Sequence, residues 1–516
     1  MSKSKWSFAL RALGCLALAS LHANGAPVDE RSVLQNGNVV DPQAPSSHGD
    51  NALRDEGEPD GGFESLYAAH RAGVTVELEK LADWYGSVRL HGDREVAFLA
   101  LLHFDPAHEG AHKGLKHTRQ RDGTWAAPAK KSEFKNANKQ LEAEGRERRA
   151  AVATGFFERG RELLEAEADA TAESLLRWRR ALVADTLAID ANLEAARALG
   201  GEARRGEEWV LAETVKAKEQ RAALKERVRQ AVAAAPAPEP AEITAAETAL
   251  GLPWAHAVAT PRVRVLTTGA LDEARTAAVM CHAALELYSG LMNFTTDLPG
   301  NYTLYILTNS AGRDAFVGNW PGWSDAERAQ IKTWAGCGVP GDIHQARWDA
   351  DEAHRLDGAV RHTLGLLTLR ELGFDHQRCA WAWEGFGIYL TRELVGTRYT
   401  WYSTAPESGD KETKDLLGRL MLTDVNWVDE YYQRAKRGRA PTLAKLCGTR
   451  IDKFGVDDIL GSYALAAYLI EGRFDEVPKL MRATGDDGGA TALAALFDGD
   501  LAAGDARLLR WLSERK

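Results

Sequence analysis

No C-x-x-C pair, no G-x-S-x-G and no Walker loop occurs in this 516-residue chain. A structural zinc knot, a serine nucleophile elbow and a phosphate-cradling P-loop are therefore not suggested. Cysteine is scarce: Cys15 near the N-terminus, then Cys281, Cys337, Cys379 and Cys447, all in the C-terminal half. Four cysteines in an exported chain suit two disulfides in any of three pairings, and suit four buried free thiols equally well. Positive charge is not in excess. Lys and Arg number 64 against 74 Asp and Glu, a net charge of -10. That leaves no electrostatic case for nucleic acid or an anionic membrane surface. The apolar stretch from Leu13 to Leu21 is too short to span a bilayer.

That stretch follows Lys3, Lys5 and Arg11 and precedes Ala23-Asn24-Gly25-Ala26. A basic start, a short apolar core and small residues describe an export signal over 1–26. Cys15 lies ahead of most of the apolar core, so a lipoprotein anchor is not expected. Residues 27–61 are rich in Pro, Gly, Ser, Asn and Asp and read as a spacer. Residues 62–232 show apolar positions at three- and four-residue steps, with a charged stretch over 132–187. Oppositely charged side chains four apart there support solvated helix faces. A local pattern occurs twice. His103-Phe104-Asp105-Pro106 through Leu115 to Trp125 parallels Ala188-Ile189-Asp190-Ala191 through Leu199 to Trp209. It resembles tetratricopeptide-like helical hairpins, which offer grooves to partners. Residues 233–242 form a Pro/Ala linker and the expected domain boundary.

The texture changes over 243–516. Residues 262–268 and 303–308 read as strands, Leu271 to Phe294 as a helix between them, and Ser324-x-x-Glu327 as a capping box. Residues 342–348 suggest an edge strand, followed by helices over 352–372 and 377–396. Those two helices carry the most specific residues. The first holds Val360-Arg361-His362-Thr363-Leu364-Gly365-Leu366; the second holds Trp383-Glu384-Gly385-Phe386-Gly387-Ile388-Tyr389-Leu390. They resemble the two active-site helices of the gluzincin zinc peptidases, in the peptidase-MA-like branch. In that family the first helix reads H-E-x-x-H and the second roughly W-x-x-E-G-x-x-x-Y-L. The resemblance implies that His362 and Glu384 stand at the first and third zinc-ligand positions. Thr363 then replaces the general base and Leu366 the second histidine. A zinc hydrolase needs three ligands, an open water position and a base. A leucine gives zinc nothing, and a threonine hydroxyl is no base at neutral pH.

His362 is accordingly read as a core histidine facing Glu384, the two forming a vestigial pair. His344, His354 and His376 are conceivable substitute ligands, with Asp351, Glu352 or Asp375 as substitute bases. His108-Glu109-Gly110-Ala111-His112 is a literal H-E-x-x-H, but Asp105-Pro106 makes it the opening of a short helix inside the repeat. His108 and His112 are treated as a decoy. Cys379 near His376 is a poor thiol nucleophile without a third member.

The expected fold class is mainly α with a small β-sheet: N-terminal helical hairpins and a charged helical arm, then an α+β gluzincin-like domain. The expected function is that of an exported bacterial pseudo-peptidase, periplasmic or extracellular. It would bind a peptide or protein partner without catalysis and without a cofactor, and without inserting in a membrane once the signal is removed. The competing expectation is a live zinc metalloendopeptidase, with ligands rearranged around His362 and Glu384 or set in the 108–112 segment.

Overall fold

The computed structural model describes residues 62–128, 138–167, 170–295, 298, 302–339, 344–348, 351–373, 379–399, 411–483, 485 and 487–515. The expected signal and spacer, and His376 with Asp375, lie outside these residues. The protein is mainly α with small sheets. It divides into two compact units, one ending at Leu199 and the other continuing from Gly200.

The N-terminal unit is built from two helical hairpins. α1 (Phe63–Ser87) returns as α2 (His91–Phe104), followed by α3 (Glu109–Gly114) and the strand pair β1 (Thr118–Arg119) and β2 (Trp125–Ala126). α4 (Lys139–Ala166) packs on α5 (Ala172–Ile189), which leads into α6 (Glu194–Leu199). Polar caps set these starts: the Asn138 side chain accepts from the Gln140 and Leu141 amides, and Thr171 accepts from Ser174. Phe63, Leu78, Leu101, Phe156, Trp178 and Leu182 make the core. The charged face of α4 is laced by Glu144–Arg148 and Arg161–Glu165 pairs, both exposed. One acid is buried. Asp185 accepts from Tyr67 Oη at 2.9 Å and from His103 Nε2 at 2.7 Å, with Arg71 Nε at 3.1 Å.

The two sequence copies take the same local form. Asp105 and Asp190 each follow a long helix, and each carboxylate accepts the amide two residues on, both at 3.0 Å. A six-residue helix and a strand pair follow in both. The second pair is β3 (Glu202–Arg205) with β4 (Glu208–Leu211), turning on Gly206 at φ 66°. Arg119 lies over Trp125 and Arg204 over Trp209.

The second hairpin and the next helix, α7 (Ala212–Ala234), belong to the C-terminal unit. Leu211, Ala217, Leu224 and Val228 enter its core. Glu213, 3% exposed, pairs with Arg473 at 2.9 Å and Arg507 at 2.8 Å, and Tyr468 Oη donates to it at 3.1 Å. A buried carboxylate held by two guanidinia and a phenol ties α7 down. The break between units thus precedes α7, and the Pro/Ala stretch 233–242 lies within the second unit. It supplies β5 (Glu239–Pro240), an edge strand, where proline costs no ladder hydrogen bond.

After α8 (Ala245–Thr248) come β6 (His256–Ala259), β7 (Arg264–Thr267), α9 (Leu271–Met292), β8 (Thr303–Ile306), α10 (Ser310–Asn319), α11 (Asp325–Ile331), β9 (Gly336–Gly338) and β10 (Gln345–Arg347). The sheet order is β5-β6-β7-β8-β10-β9. β8 runs parallel to β7 and β10, and β9 closes the sheet antiparallel to β10. The segment expected as an edge strand is therefore one place inside the edge, because the Gly-Cys-Gly of β9, too small to signal a strand, pairs outside it. Side chains alternate across the sheet. Val265, Leu304 and Ile306 face one core with α9, while Leu266, Tyr305 and Ala346 face another with Phe316 and Ile331. α11 opens on the expected Ser324/Glu327 capping box.

The remaining elements are α12 (Glu352–Leu372), α13 (Ala380–Val395), α14 (Lys411–Leu420), α15 (Trp427–Lys436), α16 (Leu443–Gly448), α17 (Val456–Gly472), α18 (Val477–Ala483), α19 (Ala490–Ala495) and α20 (Leu501–Glu514). α17 is buried nearly all round, from Ile459 to Glu471, as expected of a helix at the centre of a lobe. Among the described residues no helix is long and apolar enough to cross a membrane.

Candidate functional site

The two signature helices pack on each other and are set by local chemistry. α12 starts where the Asp351 side chain accepts from the Ala353 and His354 amides, and it stops at Gly373 with φ 69°. The glycines of the signature are packing residues. A Cβ on Gly385 would lie 2.4 Å from the Ser462 carbonyl oxygen of α17. One on Gly365 would strike the Trp383 ring at 2.3 Å, and one on Gly387 would meet Arg361 Cγ at 3.2 Å. Trp381 is fully buried and donates from Nε1 to Gly488 O at 2.8 Å, and Tyr389 Oη donates to Glu471 at 2.9 Å.

Glu384 is 4% exposed. Its partner is Arg361, whose Nη1 donates to Oε2 at 2.7 Å. This corrects the expected His362–Glu384 pair. The guanidinium is a permanent cation and reaches the carboxylate over the space left by Gly387. The general-base position is equally committed. Thr363, with no exposure, donates from Oγ1 to Ala359 O at 2.8 Å. Its oxygen then accepts from Tyr302 Oη at 2.8 Å and from Gln345 Nε2 at 3.3 Å. Residue 363 therefore points under the helix, at β8 and β10. His362 is half-buried and borders β9: its Nε2 lies 3.9 Å from where a Gly338 Cβ would be. Leu366, one turn on, is half-buried and packs against the core.

A second acid lies beside this pair. Asp357 is 1% exposed and accepts from Thr397 Oγ1 at 2.9 Å and from the Tyr399 amide at 3.3 Å. Burial pushes its carboxyl up to about 6, against the opposing pull of Arg361. Sequence reasoning missed Arg361 and Asp357. Their spacing, four residues apart on one helix face, was the available signal.

The gluzincin resemblance implies a zinc ion, and the described residues do not fit one. Glu384 is neutralised by an internal cation, residue 363 faces the core, and Leu366 offers carbon. Two of the substitute ligands, His344 and His354, are engaged elsewhere. His344 Nδ1 accepts the Thr303 amide at 3.0 Å, and His354 stacks on Tyr399 with centroids 3.6 Å apart. Asp351 serves as the helix cap and Glu352 is exposed. Among the described residues no three His, Cys, Asp or Glu side chains gather to hold an ion.

The 108–112 segment is structural in its geometry. His108 is the cap of α3, not a member of it: Nδ1 accepts the Ala111 amide at 3.0 Å, and Nε2 meets Glu79 at 2.7 Å. His112 is buried, donates from Nε2 to Pro106 O at 2.9 Å and stacks on Trp125. Its Nδ1 shares a hydrogen bond with His117 Nδ1, 2.8 Å away. Glu109 is exposed and pairs with Lys113. Cys281, Cys337, Cys379 and Cys447 stand as free thiols. Burial pushes each up to about 12, which suits inert core groups.

Among the described residues β9 is the outermost strand of its sheet. Val339 N donates to His344 O and Trp348 N to Ala335 O, so the inward hydrogen bonds of β9 fall at odd positions. The peptide groups of Gly336 and Gly338 consequently point away from β10. No known protein family, no curated protein and no solved structure matches the chain.

Proposed function

We propose that the C-terminal unit is a non-catalytic relative of the gluzincin peptidases that binds an extended peptide or protein segment. The Arg361–Glu384 ion pair carries this reading. It fills the third-ligand position with an internal salt bridge, so the carboxylate is spent on holding α12 to α13. The Thr363 hydroxyl, tied into β8 and β10, supports the same conclusion. A sheet edge with outward peptide groups and glycines at both outward positions offers main-chain pairing to an extended chain. The unit would act as an exported peptide-binding or scaffold module, with the N-terminal hairpins as a second partner surface.

The test is fluorescence anisotropy with labelled unstructured peptides in the presence of a chelator. Binding should persist without metal and fall on Gly338→Pro, which removes an outward N–H and leaves the β10 ladder intact. Binding that requires added zinc, or cleavage of the peptides, would defeat the proposal.

A further inference from the structure

The C-terminal unit has a cavity of about 250 Å³ on a different face of α13 from Glu384. α7, α13, α15 and α17 wall it, together with the loop before α15 and Arg515. Its charge is unbalanced. Five cationic side chains and three carboxylates line it, an excess of two positive charges.

The carboxylates are already committed. Glu471, 1% exposed, is gripped by Arg515 at 2.6 and 2.8 Å, approached by Arg221 at 3.4 Å and hydrogen-bonded by Tyr389. Glu393 pairs with Arg392. Asp424 is exposed at the rim. The cation Arg398 is different. It is 8% exposed and stacks on Trp427 at 5.1 Å. Among the described residues its hydrogen bonds go to the carbonyls of Val425 at 2.7 Å and of Leu422 and Thr423 at 3.4 and 3.5 Å and to the Tyr463 phenol, and the carboxylate acting on it, Glu393, is already paired with Arg392. Burial lowers its proton affinity, the direction expected when desolvation outweighs compensation. Lys225 stands exposed at the mouth.

Buried charges in proteins are paired, coordinate metals or bind ligands, because an uncompensated ion is costly in a low dielectric. We propose that this cavity is a binding site for a small dianion, of the phosphate or dicarboxylate class, held by Arg398 and Lys225 with Tyr463 alongside. The volume corresponds to roughly eight waters, which suits a small anion. Guanidinium forks match either oxyanion. This inference does not depend on the peptide-binding reading, since the cavity and the β9 edge share no residue.

The test is isothermal titration of the full chain with inorganic phosphate and, separately, with succinate, against sodium chloride at equal ionic strength. Thermal midpoints are followed in parallel. Saturable binding of phosphate or succinate is expected, and the tighter of the two assigns the class. Arg398→Gln should weaken binding by at least about tenfold, and Lys225→Gln by about threefold to tenfold. Lys225 is exposed, so its variant keeps the test valid even where Arg398→Gln fails to fold. A response no greater than that to chloride, or one equal in wild type and in Lys225→Gln, overturns the proposal.

Discussion

The Arg361–Glu384 pair can be dissected by a double-mutant cycle using Arg361→Met and Glu384→Gln. Methionine keeps the aliphatic stem over Gly387, and glutamine keeps the shape of Glu384. The side chains are 16% and 5% exposed, so both charges sit largely out of water. Removing one partner of a buried pair costs about 3–5 kcal/mol, because the survivor is stranded. Arg361→Met should fall near the bottom of that range, since Arg361 keeps some solvent. Glu384→Gln should cost less, about 1–3 kcal/mol, because the amide oxygen still accepts from the guanidinium. The double variant should lose less than the sum of the two, giving a coupling of about 1.5–3 kcal/mol. Urea unfolding followed by tryptophan fluorescence reads this directly; the chain holds 15 tryptophans. Singles that add within about 0.5 kcal/mol would refute the ion pair. A near-neutral Arg361→Met combined with destabilisation by chelator would mean that Glu384 serves a metal instead.

Other outcomes follow from the same geometry. Asp357 has its carboxyl raised from 3.8 to about 6 in the folded state, so the native state binds more protons than the unfolded chain between those values. Its contribution is therefore most favourable below pH 4 and is lost as pH rises through 6, by about 3 kcal/mol. Asp357→Asn should flatten that slope in urea unfolding at pH 5 and pH 8; parallel curves for wild type and variant would contradict it. Thr363→Glu with Leu366→His rebuilds the literal motif, yet residue 363 faces Tyr302 and Gln345. The variant should lose more than about 3 kcal/mol and gain no chelator-sensitive cleavage, since a carboxylate would be buried without a cation. Recovered peptidase activity would refute the placement of residue 363. Gly385→Ala brings a methyl to 2.4 Å from a backbone oxygen and should cost about 1–3 kcal/mol in a denaturant titration. An unchanged midpoint would mean that α13 and α17 are less closely set.

Much of the architecture was legible because it rests on local signals. The helix expected over 352–372 has those bounds, since Asp351 caps it and Gly373 ends it. The Ser324/Glu327 box opens α11, and the paired Asp-to-Trp copies fold alike because each Asp caps its own turn. The strands at 264–267 and 303–306 were readable as apolar runs buried on both faces. What failed was non-local. β9 is Gly-Cys-Gly and carries no hydrophobic pattern, so pairing with β10 alone makes it a strand. The break between units was sought at the prolines of 233–242. It falls before α7, because Glu213 is buried among arginines more than two hundred residues away in sequence. At the site, the family pattern drew attention to His362 and Glu384, while the decisive residue was Arg361, which that pattern does not mark. Its role depends on the gap at Gly387, visible only once α12 and α13 are packed.

The central claim is that a salt bridge between Arg361 and Glu384, and not a metal, joins the two signature helices. Metal analysis of the purified full chain, with proteolysis of an unstructured substrate with and without chelator, tests it most directly. The account predicts no stoichiometric zinc lost on His362→Ala or Glu384→Ala, and no chelator-sensitive cleavage. One zinc per chain that disappears with either substitution, together with cleavage that chelator abolishes, would contradict it.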